Sequence, residues 1–416
     1  MTRLHLRQAA EDRDALTRRR LDLLVPRIME EAEVDCWVLV SREYAEDPVV
    51  MSMLPATWMS SRRRTILVFA REGDRTMRFS ISRYQIDDLF ESRWDPGRQP
   101  DQWQALADAV RQIDPATIAV DTSVSFAHAD GLTASEREGL VGALGPDLSD
   151  RLVSAEDLAV AWLERRLPEE RAIGEEACAL AHGLLRRALS NEAVHPGETT
   201  TADLAWWLRD RIQDLGTTTW FHPTVTVQGR SRGPQPTPAA RPGPVVVRPG
   251  DLIHIDFGIN WKGLCTDQQQ HGYVLDDVET APPAGLTAAL AKTNRLQEIL
   301  TGHFAIGRSG NDVLRESLQQ ATYEGLIGRI YTHPIGIHGH GAGPTVGLWD
   351  QQDGVPGPGD RRISANTMWS IELMTESSVP EWDHQPIQVM LEEDAWFDGE
   401  TCRFLDGRQE SLWVIE

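Results

Sequence analysis

Residues 253–271 read IHIDFGINWKGLCTDQQQH, two apolar runs separated by Asn260-Trp261-Lys262-Gly263. Apolar runs flanking such a segment predict a β-hairpin. Folding 251–259 back on 264–274 through a four-residue turn at 260–263 sets Asp256 directly opposite Asp267. Like charges facing each other across two strands are destabilising, and carboxylates are rarely buried unless they are paired or bound to metal. The hairpin therefore implies a positive partner that the sequence does not supply.

Three further segments set polar residues among apolar ones. THPIGIHGHGAGPTVGLWDQQ (332–352) carries His333, His338 and His340 among glycines, WSIELMTESSVPEWDHQ (369–385) carries Glu372, and IQVMLEEDAWF (387–397) carries Glu392, Glu393 and Asp394. Taken singly, a lone histidine is more often a satisfied core residue than a ligand, and a lone strand glutamate is often an edge residue or half of an ion pair. Together, two aspartates, one histidine and two glutamates form an oxygen-rich set suited to two divalent cations. Four carboxylates nearly neutralise two dications, which would remove the repulsion in the hairpin. Such a set favours Mn, Fe, Co or Zn over a thiolate-type site. Two ions close together bridge a water, lower its pKa and polarise a carbonyl, the chemistry of metal-assisted amide hydrolysis.

The chain has 416 residues, 63 acidic and 41 basic, for a formal charge of −22. That length predicts more than one domain, and that charge argues against nucleic-acid or anionic-membrane partners. Cys36, Cys178, Cys265 and Cys402 are scattered without CxxC spacing, so neither a zinc ribbon nor a disulfide framework is indicated and a reducing cytoplasm is expected. The first residues mix charges throughout and do not read as a signal peptide. No apolar window is long enough for a spanning helix.

A charged helix to about Glu33, then CWVLVSR (36–42), TILVFAR (65–71) and TIAVD (117–121), predict a small α/β domain over 1–160. The helix AEDLAVAWLERRLP, stopped by Pro168, reads as a connector. From 168 to 416 the texture becomes α+β. Helices are expected over 169–193, from Thr200 or Thr201 onward, over 285–302 and over 310–327, with a strand in WFHPTVTVQGR and a strand-rich end from 331 to 415. Residues 230–250 hold Pro234, Pro236, Pro238, Pro242, Pro244 and Pro249 and predict a stiff, partly extended loop.

The order of these segments resembles the pita-bread metallohydrolases, in the branch of Xaa-Pro aminopeptidase, prolidase and creatinase. It runs from an Asp to an Asp eleven residues on, a His in a GHxxG setting, a Glu in an SIEL strand and a Glu just before an Asp. The resemblance covers roughly 168–416 and implies a pita-bread catalytic domain behind a creatinase-like N-terminal domain. It also implies a homodimer, because in that branch the N-terminal domain completes the partner's active site.

Carried over by position, the metal ligands are Asp256, Asp267, His340, Glu372 and Glu393, with Glu372 also the general base. Strand alternation alone does not choose between Glu392 and Glu393; Glu393 is taken because it directly precedes Asp394. His340 has Gly343 three residues later and His338 has Gly341 at the same offset. His340 is taken as the ligand for its distance to Trp349-Asp350, leaving His338 and His333 as further catalytic candidates.

Three departures stand out. The family's substrate-side histidine, about seventeen residues before the first Asp, falls at Ala239. The histidine about seven residues beyond the metal His falls near Trp349. The usual Asp-x-Thr-Arg-Thr becomes Asp267-Gln268-Gln269-Gln270-His271. The resemblance thus implies a metal-dependent aminopeptidase or dipeptidase acting on small peptides. A creatinase-like enzyme for a non-peptide small molecule is the alternative, with a metal-free binding protein on the same fold as the third. Histidines that could replace the absent pair in space are His222, His333, His338 and His384.

Overall fold

A computed structural model of the chain describes residues 3–73, 75–230, 232 and 243–416. It divides into two units, Leu6–Leu163 and Glu164–Glu416 together with Met1–His5.

In the first unit, the helix Leu6–Glu31 leads to the strand Cys36–Arg42. That strand runs antiparallel to Arg64–Glu72 and parallel to Ile118–Val120 within a six-stranded mixed sheet. Val38, Val40, Ile66, Val68, Phe79 and Ile81 form its core with Leu106, Val110, Leu140 and Leu144 from the helices Gln102–Ile113 and Ala134–Ser149. Asp47 and Asp121 are among the carboxylates buried in this unit. Asp47 caps the helix Pro48–Met53 by accepting from the Val50 N–H at 2.8 Å, and Asp121 accepts from the Trp37 indole at 2.8 Å. Burial pushes the Asp47 carboxyl up to about 6, and burial with the neighbouring Asp47 charge pushes Asp121 well up.

The second unit is built on a nine-stranded sheet. Its long antiparallel pair, Thr367–Val379 and Gln385–Phe397, continues through Gln268–Val274 and Asp251–Phe257 to Thr224–Gly229. Successive side chains on a strand point to opposite faces, and the residues sort accordingly. Trp369, Ile371 and Leu373 pack with Leu296, Ile299, Val313 and Leu314 of the helices Ala284–Gly302 and Gly310–Tyr323. Ile253, Ile255 and Phe257 pack with Leu184, Leu185, Leu204 and Leu208 of the helices Pro168–Ala188 and Thr201–Leu215. The intervening Glu372 and Asp256 therefore turn toward the face that these helices leave.

The helices start and stop where their ends are satisfied. Thr200 and Ser309 each cap through a reciprocal bond with the aspartate three residues on, Asp203 and Asp312. Pro168 occupies a first-turn position, where its missing N–H is not needed. The helix expected over 310–327 stops at Tyr323, because Gly325 takes φ 75° and Ile327–Ile330 pairs with Thr367–Val379.

Candidate metal centre

The hairpin folds as a hairpin, but with a register two residues away from the expected one. Lys262 and Gly263 take φ 51° and 89°, the positive pair that a two-residue type I′ turn requires, and Trp261 faces Leu264. Asp256 consequently pairs with Gln269 and not with Asp267. Asp267 falls in the break between the short ladder at the turn and the main one. A Cβ on Gly258 would lie 2.1 Å from the Thr266 carbonyl oxygen, so only glycine allows this approach.

The corrected register produces one row across five strands, each residue facing the next: Thr224, Asp256, Gln269, Glu392, Glu372. Directly opposed residues share a face, so the row brings Asp256, Glu392 and Glu372 together. Thr332 fastens its end, bonding both the N–H and the carbonyl of Glu372 through one hydroxyl at 3.0 Å. His333 arrives on the adjoining strand His333–Ile335, opposite Ser370.

Asp267 enters beside the row, its N–H donating to Asp394 Oδ2 at 3.1 Å. The same oxygen accepts from Gln268 Nε2 at 2.9 Å and from Cys178 Sγ at 3.4 Å.

Three groups of ligand atoms lie within 4.8 Å of one another: Asp256, Asp267 and Glu392; His333, Glu372 and Glu392; Asp267, His333 and His340. Glu392, Asp267 and His333 each belong to two of them. Glu393, the glutamate favoured by its place before Asp394, is in none. It sits one residue along the pleat and is held from the other side by His182 Nε2 at 2.5 Å, Gln270 Nε2 at 3.0 Å and the Gln409 N–H at 3.0 Å. Burial opposes charge on His182, but Glu393 and Asp406 outweigh it and push the imidazole up to about 10. The pairing Gln269 to Glu392, which no single strand reveals, sets Glu392 on the face of Asp256 and Glu372 and turns Glu393 to the other.

The histidines also rearrange. His333, whose side chain is 12% exposed, places Nε2 3.7 Å from Glu392 Oε1 and 4.0 Å from Asp267 Oδ2. Its Nδ1 lies 2.9 Å from the Pro334 carbonyl, which only accepts, so Nδ1 carries the proton and Nε2 the lone pair. His340 packs edge-on against both His333 and Trp220, at 4.9 and 5.0 Å between ring centroids. A Cβ at Gly339 would lie 2.2 Å from the Trp220 ring, which accounts for the glycine there.

His333 itself has Gly336 three residues later, and His340 follows it by seven. Counted from His333, the histidine that fell at Trp349 when counted from His340 is present. His338 enters no ligand group. His222 stacks on Trp206 at 5.0 Å, and His384 lies near Ser378 at a turn, so neither joins this cluster. Ala239 and most of the proline-rich loop lie outside the described residues.

Side chains unnoticed in the sequence complete the surroundings. Tyr331, buried and stacked on Trp349 at 5.1 Å, has its phenol pushed up by burial and by the charges of Glu372, Glu392 and Asp256. Met374 and Met390 pack with it one step along the sheet from the glutamates. Burial first, then repulsion from Glu392, pushes the Asp256, Asp267 and Glu372 carboxyls well above their ordinary range.

The donor set fits divalent cations. Two buried atoms aimed into the cluster, His333 Nε2 and Asp267 Oδ1, have no hydrogen-bond partner, which is costly unless something else engages them. A lone-pair nitrogen among four carboxylates is a donor set that could hold a cation.

The model of metallopeptidase family M24 matches residues 173–403. The fold is similar to that of an X-Pro aminopeptidase from Thermotoga maritima MSB8, at 17% identity and TM-score 0.68, over 93% of this chain and 99% of that one. It is also similar to an Xaa-Pro dipeptidase from Bacillus anthracis, at 17% identity and TM-score 0.65, over 96% and 99%. The N-terminal domain of FACT complex subunit SPT16 from Cicer arietinum shares it too, at 12% identity and TM-score 0.63, over 97% and 99%. No curated protein matches the sequence. Among the described residues, no helix is long and apolar enough to cross a membrane.

Proposed function

The chain belongs to metallopeptidase family M24 and is a metallohydrolase, and from that premise we propose a dinuclear enzyme that removes the N-terminal residue from small peptides of Xaa-Pro type. The observation that carries the proposal is the overlap of two ligand groups, Asp256, Asp267 and Glu392 with His333, Glu372 and Glu392, through Glu392. Two three-ligand sites that share residues are the arrangement two adjacent ions need.

In this reading Asp256, Asp267, His333, Glu372 and Glu392 hold the ions, with His333 and Glu392 in the places first given to His340 and Glu393. Bound divalent metal supplies Lewis-acid charge that makes a water nucleophilic near neutral pH and polarises the scissile carbonyl. Glu372, at the end of the ligand row, would take a proton from the attacking water and pass it to the leaving amine. His340, beside His333 and exposed, donates to the oxygen that becomes negative as the carbonyl is attacked. Trp220, packed on His340, fixes that ring.

A second reading keeps the metals and changes the substrate to a non-peptide small molecule with a C–N bond. It is favoured by Gln269 in the middle of the ligand row and by the absence of a histidine at 239.

Assay of the Mn²⁺- or Co²⁺-loaded protein with Xaa-Pro dipeptides and Xaa-Pro-Xaa tripeptides separates the two. Release of the free N-terminal amino acid, lost in Asp267→Ala and Glu372→Ala, supports the peptidase. Bound metal without release of any amino acid favours the small-molecule enzyme. A protein that neither holds nor rebinds metal rules out both.

A further inference from the structure

Gln269 stands at the centre of the ligand row, 4% exposed, facing Asp256 on one side and Glu392 on the other. Its Nε2 lies 2.6 Å from Glu372 Oε1 and 2.7 Å from Glu392 Oε2. Each glutamate turns an accepting oxygen to the amide nitrogen, whose two hydrogens are divided between them. The amide oxygen then faces His254 Nε2 at 2.9 Å. An oxygen there requires a donor, so His254 carries its proton on Nε2. Its Nδ1 accepts from the Thr226 hydroxyl at 3.3 Å. Every bond from Thr226 through His254 and Gln269 to the glutamates thus has one permitted direction, and the amide has one permitted orientation.

We propose that Gln269, oriented by His254, is a positioning residue that presets Glu372 and Glu392 for metal before any ion arrives. The inference rests on the metal-centre reading given under the proposed function. Two carboxylates that would otherwise repel are drawn to one neutral donor pair. Each bond falls on a single oxygen, leaving Glu372 Oε2 free of Gln269 and Glu392 Oε1 to the Ser370 hydroxyl and the cluster. A threonine at this position has one hydroxyl hydrogen and a shorter reach, so it cannot serve both glutamates. Neighbouring hydrogen bonds of this kind orient ligands and raise metal affinity, and their loss typically weakens binding by about 10–100-fold.

The test titrates Co²⁺ into EDTA-treated protein, following both the heat of binding and the visible absorption of the bound ion, with circular dichroism to show that each variant is folded. Gln269→Met and Gln269→Thr are expected to bind Co²⁺ about 10–100-fold more weakly and to shift the absorption bands. His254→Phe, which releases the amide, should move affinity and spectrum in the same direction. Because both act through one chain of bonds, Gln269→Met with His254→Phe should lose little beyond Gln269→Met alone.

Wild-type affinity and an unchanged spectrum in folded Gln269→Met and Gln269→Thr would overturn the inference while leaving the metal centre intact. So would fully additive losses in the double variant. A wild type that binds no Co²⁺ would instead overturn the metal-centre reading, and this inference with it.

Discussion

Replacing Asp267 by asparagine should stabilise the metal-free protein while abolishing its response to metal. Ligand atoms of Asp256, Asp267 and Glu392 lie within 4.8 Å of one another. Two unit charges at that spacing repel by about 3.5 kcal/mol at an effective dielectric of about 20. The carboxyls escape part of that repulsion by holding protons, as the raised Asp256, Asp267 and Glu372 show, so the gain from Asp267→Asn is about 1–3 kcal/mol. For a unit of this size that corresponds to a Tm about 2–10 °C higher.

The sign with pH follows from linkage. A carboxyl whose folded pKa is raised contributes stability that is fully present below the ordinary carboxylate range and is lost as pH rises through the raised value. The advantage of Asp267→Asn should therefore grow from pH 5 to pH 8. Scanning calorimetry of EDTA-treated proteins measures it. Metal at about 100 times its Kd should add about 2.7 kcal/mol to the wild type and nothing to the variant. An asparagine variant that melts no higher than wild type at pH 8 would show that the carboxylates are not in conflict, and the reasoning from charge would fail.

Glu392→Gln should abolish metal binding and activity. Glu393→Gln should keep both within about tenfold while costing about 3 kcal/mol through the lost partner of His182; metal content and chemical denaturation separate the two effects. Gly258→Ala, whose Cβ would lie 2.1 Å from a backbone oxygen, should destabilise by about 3 kcal/mol and reduce metal affinity by displacing Asp267, both read by titration on the same samples. Asp47→Asn keeps the cap on Val50 but removes a carboxyl held at about 6. The wild type loses that contribution as pH rises through about 6, so the variant should melt with a flatter pH profile between pH 4 and pH 7.

Elements were legible where a local pattern carries them. CWVLVSR is the strand Cys36–Arg42 residue for residue, and the helix expected over 285–302 runs from Ala284 to Gly302. The site was legible in its composition and less so in its membership. Asp256, Asp267 and Glu372 stand in apolar runs, where a carboxylate is conspicuous. The hairpin register was misplaced because a two-residue turn and a four-residue turn both fit INWKGL, and only the positive φ of Lys262 and Gly263 separates them. Which of Glu392 and Glu393 shares a face with Asp256 depends on a pairing with a strand more than a hundred residues earlier. His333, read in the sequence as a catalytic candidate, carries the same glycine three residues on, Gly336, as His340 does in Gly343. Gln269 read as a departure and sits instead at the hinge of the ligand row.

The central claim, that two ions share Glu392, is tested most directly by anomalous scattering from crystals soaked in Mn²⁺ or Co²⁺. Two peaks are expected, both within bonding distance of Glu392, with His333 Nε2 on one of them and Asp256 and Asp267 on the other. No peak, or a single ion that Glu392 does not touch, would contradict it.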